Sequence, residues 1–254
     1  MRPLICAALA LCLSACDQPE PPKPVKPASP PVAKTEPVAL SPLAVKTEKW
    51  KKTKPKCQGE DCPYIDVELA QPADAALAAL IDKTLAGMVF IDDKQPTFNT
   101  IAALSQYFWP KTEGQWNIYL QSKVLRQYKN VLVLQLDSET YSGGAHGLGV
   151  TRYLNINREN QQLLTLSDVL EPSKDAEFWA LVQAQHQPWL KANELSDPES
   201  VKTWPFIKTD NFALTEQGLT VKYQSYDIAP YAVGQPEFTV PYSQLKGIVK
   251  PAYL

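Results

Sequence analysis

Histidine is almost missing from this chain: only His146 and His186 occur among 254 residues, far apart in sequence. A zinc centre would need further Cys or His ligands at suitable spacing, so no metal is expected. No glycine-rich phosphate cradle and no Gly-X-Ser-X-Gly nucleophile elbow is present, so neither nucleotide chemistry nor a hydrolase of that type is indicated, and no cofactor is expected. Long apolar runs are missing too. The longest, Leu4 to Leu13, is too short for a permanent membrane-spanning helix. The part of the chain beyond Lys56 has no basic surplus, and without one it cannot neutralise phosphates, which argues against nucleic acid as a partner.

What is present begins with an address. Arg2 precedes the short apolar stretch, and Leu13-Ser14-Ala15-Cys16 resembles a lipobox, in which small residues admit the signal peptidase and the cysteine sulfur takes a lipid. The expectation is a signal peptide over residues 1–15 and fatty acyl chains such as palmitate on Cys16. An ordinary signal peptide, or a cytosolic chain with an apolar start, is the alternative. The five cysteines favour the lipoprotein reading: Cys6 and Cys12 fall in the leader, Cys16 carries lipid, and Cys57 and Cys62 remain as a local pair suited to a disulfide in an oxidising compartment. Asp17 resembles the residue that retains lipoproteins in the inner membrane, so that membrane is favoured over the outer one, with the domain in the periplasm.

Residues 16–50 read as a tether. Nine of the 23 prolines lie between positions 19 and 42, and proline fixes φ and removes backbone donors, leaving an extended spacer without a packed core. Charge divides unevenly about its end. Residues 17–56 carry a side-chain net of +5, with Lys49, Lys51, Lys52, Lys54 and Lys56 crowded together, whereas residues 57–254 carry −8. A lysine run of this kind is usually solvated. An acidic domain steers towards cationic partners.

Periodicity divides the rest into two α+β subdomains, 51–150 and 151–254, with a mainly antiparallel sheet packed against helices. Strands are expected at 64–69, 117–127, 131–141, 149–157, 211–214, 219–223 and 238–240. Helices are expected at 77–88, 97–108, 166–170, 175–190 and 243–249. In the strand 131–141, alternation sets Leu132, Leu134 and Leu136 on a core face and Val133, Gln135, Asp137, Glu139 and Tyr141 on a partly solvated one.

Two loops look least like scaffold. Tyr141, Ser142, Gly143, Gly144 and His146 form one; Tyr226, Asp227, Pro230, Tyr231 and Gly234 form the other. Paired glycines supply backbone angles that other residues avoid, and loop tyrosines offer an apolar ring with a polar tip. At Gly-Gly-Ala-His, Leu163 to Leu170, Gly218 to Val221 and Asp227-Ile228-Ala229-Pro230-Tyr231, the chain resembles an extracytoplasmic domain family of unknown function. That family is represented by the anti-sigma factor RsiV and by the non-catalytic module of the polysaccharide deacetylase PdaC. The resemblance covers residues 57–250 and implies an envelope-sensing or protein-binding fold. Lysozyme is the partner it implies, because the exported domain of RsiV binds it. Anti-sigma signalling is not implied, since no cytosolic segment accompanies the domain.

The reading is a membrane-anchored envelope protein with a non-catalytic domain that recognises lysozyme, another cationic protein or peptidoglycan. A cell-wall hydrolase or deacetylase is one alternative and a structural envelope protein another. The catalytic version would set Ser142 beside His146 with Asp137 as the third member, or pair Asp137 with Glu139. No residue is assigned a catalytic role.

Overall fold

Period-two alternation builds a six-stranded sheet whose strands follow one another in chain order. They are β1 (Val45–Thr53), β2 (Tyr64–Pro72), β3 (Asn117–Tyr128), β4 (Val131–Tyr141), β5 (Leu148–Asn157) and β6 (Gln162–Leu163). The computed structural model describes residues 41–92 and 94–254; Cys16, Asp17 and the tether up to residue 40 lie outside them. Every neighbouring pair is antiparallel except β2 and β3, which run parallel. A parallel step cannot be closed by a hairpin. Here α1 (Ala75–Met88) and α2 (Ile101–Phe108) make the crossover.

Both helices start where a side chain can accept their orphan amides. Asp74 Oδ1 accepts from Ala76 N and Leu77 N of α1, and Thr100 Oγ1 accepts from Ala103 N of α2. Asp82 of α1 adds a second tie, accepting from Ile101 N. α2 therefore begins at 101 and not at 97 as its periodicity suggests, because Thr100 fixes the start. Leu77, Ile81 and Leu85 of α1 and Ile101, Leu104 and Phe108 of α2 cover one face of the sheet. They meet Ile65 and Val67 of β2, Ile118 and Leu120 of β3, and Leu132, Leu134 and Leu136 of β4.

A second core lies on the opposite face. A three-stranded antiparallel sheet, β7 (Phe212–Leu214), β8 (Gly218–Lys222) and β9 (Glu237–Pro241), packs there with α3 (Leu166–Val169) and α4 (Asp175–Ala192). Val131 and Val133 of β4 and Tyr153 of β5 join Phe178, Val182, Leu219, Val221 and Phe238 in it. The architecture is α+β with a mainly antiparallel sheet, as composition and order indicated. The two cores share the large sheet, and β5 runs across the boundary expected between 150 and 151, because its ladder to β4 is continuous from Leu148 to Asn157.

Other expectations are corrected. Residues 45–50, assigned to the tether, belong to β1; its Trp50, and Leu43 just before it, pack against the helical core. Lys49, Lys51 and Lys52 of the lysine run lie on β1, the outer edge of the sheet, where charge discourages pairing with another chain. The helix expected at 243–249 does not form. One 3₁₀ turn, Tyr242–Gln244, is followed by Gly247 at φ 76°, which stops it. A short helix α5 (Pro198–Thr203) was not expected, although Asp197-Pro198-Glu199 is a good start signal: Asp197 accepts from Glu199 N and Ser200 N. Cys57 and Cys62 are joined by a disulfide with Cα atoms 5.8 Å apart.

Candidate functional site

The free edge of β5 positions the site. Between Gly147 and Tyr153 no strand among the described residues pairs with this edge, so its backbone donors and acceptors need other partners. Amide side chains from the C-terminal half provide them. Gln224 brackets Thr151, accepting from its N–H at 3.0 Å and donating to its carbonyl at 2.7 Å. Asn211 accepts from Tyr153 N and donates to Thr151 O. Gln235 Nε2 donates to Gly149 O, and its Oε1 accepts from Thr151 Oγ1. In return Asn155 reaches β7, donating to Phe212 O and accepting from Leu214 N. Tyr153 donates to Glu237 at 2.9 Å; burial and that carboxylate hold its phenol protonated well above the ordinary range.

This stitching brings the two loops together. Tyr231 Oη donates to Gly147 O at 2.9 Å, and the His146 ring stacks on the Tyr231 ring at 3.7 Å between centroids and 16° between planes. Tyr226 follows at 5.8 Å from Tyr231, and Trp204 at 6.4 Å from Tyr226. The result is a row of four rings, His146, Tyr231, Tyr226 and Trp204, with Tyr226 half exposed (51%). An aromatic row at the surface, backed by satisfied backbone, is suited to adhesion through apolar and polar contact at once.

Local geometry explains the composition of both loops. Gly143 and Gly144 take φ of 92° and 89° in succession, angles that side chains disfavour. Tyr141 Oη closes this turn by donating to Gly144 O. In the second loop Tyr226 itself adopts φ 73°, held by a turn in which Asp227 Oδ2 accepts from Gln224 N at 2.7 Å. A bulky residue at such an angle is strained, and strain of this kind is kept where the surroundings enforce it. Pro230 opens the 3₁₀ turn Tyr231–Val233, and Gly234 at φ 82° ends it. Tyr141 to His146 thus lead from the end of β4 towards β5, and Tyr231 of the second loop meets them there, with Tyr226 beside it.

The catalytic version gains no support from the geometry. His146 Nδ1 lies 3.1 Å from Gly147 O, so that nitrogen donates to backbone, and no hydrogen bond joins it to the exposed Ser142. Asp137 accepts from Gln135 and from Thr151 Oγ1. Among the described residues no group of three Cys, His, Asp or Glu is placed to hold a metal. Sequence reasoning missed Trp204 and the amides Asn155, Asn211, Gln224 and Gln235. Trp204 had a faint signal, standing just after the helix that Asp197-Pro198 starts. The amides had none, because an Asn or Gln reads the same in a loop, a turn or a bracket.

Beside the row lies a groove of about 610 Å³. Its walls are α1 and the 97–98 segment on one side, and β5 with residues 209–211, Gln224 and Asp227 on the other.

With the geometry in place, known proteins offer comparisons. Residues 167–243 match the model of a family described as "Protein of unknown function (DUF3298)". The chain is 26% identical over 137 residues to the peptidoglycan-N-acetylmuramic acid deacetylase PdaC of Bacillus subtilis, a match covering 52% of this chain and 29% of that protein. It is 24% identical over 140 residues to the anti-sigma-V factor RsiV of the same organism, covering 51% of this chain and 47% of that one. The chain thus spans less than half the length of either curated relative. A crystal structure of a DUF3298 family protein from Pseudomonas aeruginosa superposes with a TM-score of 0.74 at 35% identity, covering 84% of this chain and 97% of that chain. A family member from Bacteroides fragilis shares the fold, with a TM-score of 0.62 at 19% identity over 85% of this chain and 96% of its own.

Proposed function

The chain belongs to the DUF3298 family, and from that membership we propose that it is a lipid-anchored envelope protein whose domain binds without catalysis. Cys16 carries the anchor in this reading, and the domain stands in the periplasm at the end of the proline-rich tether, with the inner membrane favoured by Asp17. No helix among the described residues is long and apolar enough to cross a membrane, which suits anchoring by acyl chains. The binding surface is the row His146, Tyr231, Tyr226 and Trp204 together with the loops at 141–147 and 226–234.

The observation that carries this reading is the stacking of His146 on Tyr231, 85 residues apart in sequence, which joins two loops into one surface and commits the histidine ring to packing. The partner class is a cationic protein such as lysozyme, or peptidoglycan. The −8 of residues 57–254 favours the protein. Rings of this kind carry much of the affinity of an interface, so replacing one should cost about 2 kcal/mol or more of binding.

The test uses the full chain in detergent, titrated with lysozyme and, separately, sedimented with purified peptidoglycan. Binding of one of them, weakened about thirtyfold in Tyr231→Ala with an unchanged melting curve, supports the proposal. Unaltered binding by Tyr231→Ala and Tyr226→Ala removes the site. Release of acetate or soluble fragments from peptidoglycan, abolished in His146→Ala, replaces binding with catalysis.

A further inference from the structure

The groove beside the ring row has features that the row does not need. Leu80, Met88, Phe98 and Val150 give it apolar lining, and Thr84, Thr97 and Thr209 add hydroxyls. Four charged side chains also line it: Lys83 and Arg152, Asp210 and Asp227. Lys83, Arg152 and Asp210 are exposed, and among the described residues none of the four forms an ion pair. Charges of both signs are therefore gathered around one groove without neutralising each other. Its volume lies in the range of sites for small ligands.

Gly87 is the second observation. It is the last residue but one of α1 (Ala75–Met88), where glycine is still less favourable than alanine, so a packing reason would be expected. There is none: a Cβ built at Gly87 would meet nothing within 4 Å. The space over Gly87 is the groove itself. The missing side chain leaves the groove open at the cost of a less favourable helix position, the pattern expected where a site overrides local propensity. The opposite wall is rigid, because Gln224 and Asn211 bracket Thr151 from both sides.

We propose that this groove binds a short peptide carrying both a carboxylate and an ammonium group. Lys83 and Arg152 would receive carboxylate, Asp210 and Asp227 ammonium, and the apolar lining the intervening side chains. A purely anionic glycan would leave the two aspartates facing like charge, and an apolar ligand would leave all four charges desolvated without partners. Short zwitterionic peptides of this class are exposed as the stems of peptidoglycan, so the source of the ligand rests on the envelope location proposed above. The groove itself does not.

The full chain is titrated by calorimetry with the tripeptide alanyl-γ-glutamyl-lysine, and with the same peptide after acetylation of both its amines. Saturable binding of the free peptide is expected, weakened about tenfold or more by acetylation and by Lys83→Gln combined with Arg152→Gln. Gly87→Leu is the sharper variant. It should abolish binding by filling the groove while raising the melting temperature, because it adds helix propensity, so loss of folding cannot mimic the result. Tyr231→Ala should leave peptide binding unchanged, which separates this site from the ring row: the row can fail with the groove intact, and the reverse. Absence of peptide binding, binding untouched by Gly87→Leu, or equal binding of the acetylated peptide would each overturn the proposal.

Discussion

The two cores on either side of the large sheet are held by different means. Beneath α1 and α2 the contacts are aliphatic for the most part, and the strands bond to one another through regular backbone ladders. Around the small sheet aliphatic side chains still predominate but rings are commoner, six of the twenty buried residues against two of nineteen beneath the helices, and the tie to β5 is made by Asn155, Asn211 and Gln224, which stand in for a strand. The first kind of core tolerates exchange of one apolar residue for another of similar volume. The second depends on particular amides at particular positions, since each serves a buried donor and acceptor together. It is also the one that carries the ring row.

The largest expected effect tests that contrast directly. Asn155→Leu keeps the side chain's bulk but removes its bonds to Phe212 O and Leu214 N, and at about 2 kcal/mol per buried group left unpaired it should destabilise by about 4 kcal/mol. Leu85→Ala in the helical core, at a site with 0% exposure, should cost about 3 kcal/mol through lost burial and a cavity. Urea denaturation of the full chain gives both values. An Asn155→Leu penalty well below that of Leu85→Ala would mean that the brackets contribute little and the two cores are held alike.

Reduction of the Cys57–Cys62 disulfide, or its replacement by two serines, should cost about 2 kcal/mol in the chain-entropy description. The bridge closes the loop between β1 and β2, outside both cores. Its loss should therefore leave the Asn155→Leu increment unchanged when the two are combined.

A pH titration distinguishes the cores next. His186 is 1% exposed on α4, its two ring nitrogens have no hydrogen-bond partner among the described residues, and Trp189, Phe206 and Phe238 surround it. Burial pushes its pKa below the ordinary 6.5. Below pH 6.5 the unfolded chain thus binds a proton that the folded chain does not. Stability is full above that pH and declines as pH falls towards the folded value, by up to about 1.4 kcal/mol per unit. His186→Phe should remove this part of the slope. An identical slope in both proteins would locate acid sensitivity in the carboxylates instead.

The smallest effect concerns α3. Thr165 and Asp168 form a reciprocal capping box there, and Thr165→Ala should cost about 1 kcal/mol. An effect under a few tenths would show that tertiary contacts of Val169 and Leu170 hold the turn without its cap.

This contrast also marks what could be read from the sequence. The helical core was legible because its residues recur at two- or four-residue intervals: Leu132, Leu134 and Leu136 announced their face, and Leu77, Ile81 and Leu85 theirs. The mixed order of elements gave the α+β class. The edge strand β1 was hidden, because a run of lysines beside prolines has the composition of a tether, and only pairing with β2 makes it a strand. The helix expected at 243–249 failed at Gly247, whose positive φ the apolar spacing conceals. At the site, glycines and tyrosines identified both loops, while their meeting through Tyr231 and Gly147 is a non-local event that no local pattern encodes. Trp204 entered the row for the same reason.

Hydrogen exchange of the full chain, with and without saturating lysozyme, tests the central claim most directly. If the ring row is the binding surface, protection on complex formation falls on residues 141–149 and 224–236 and spares β1 and β2. Protection confined to β1 and β2, or none at all under conditions where the complex forms, would contradict it.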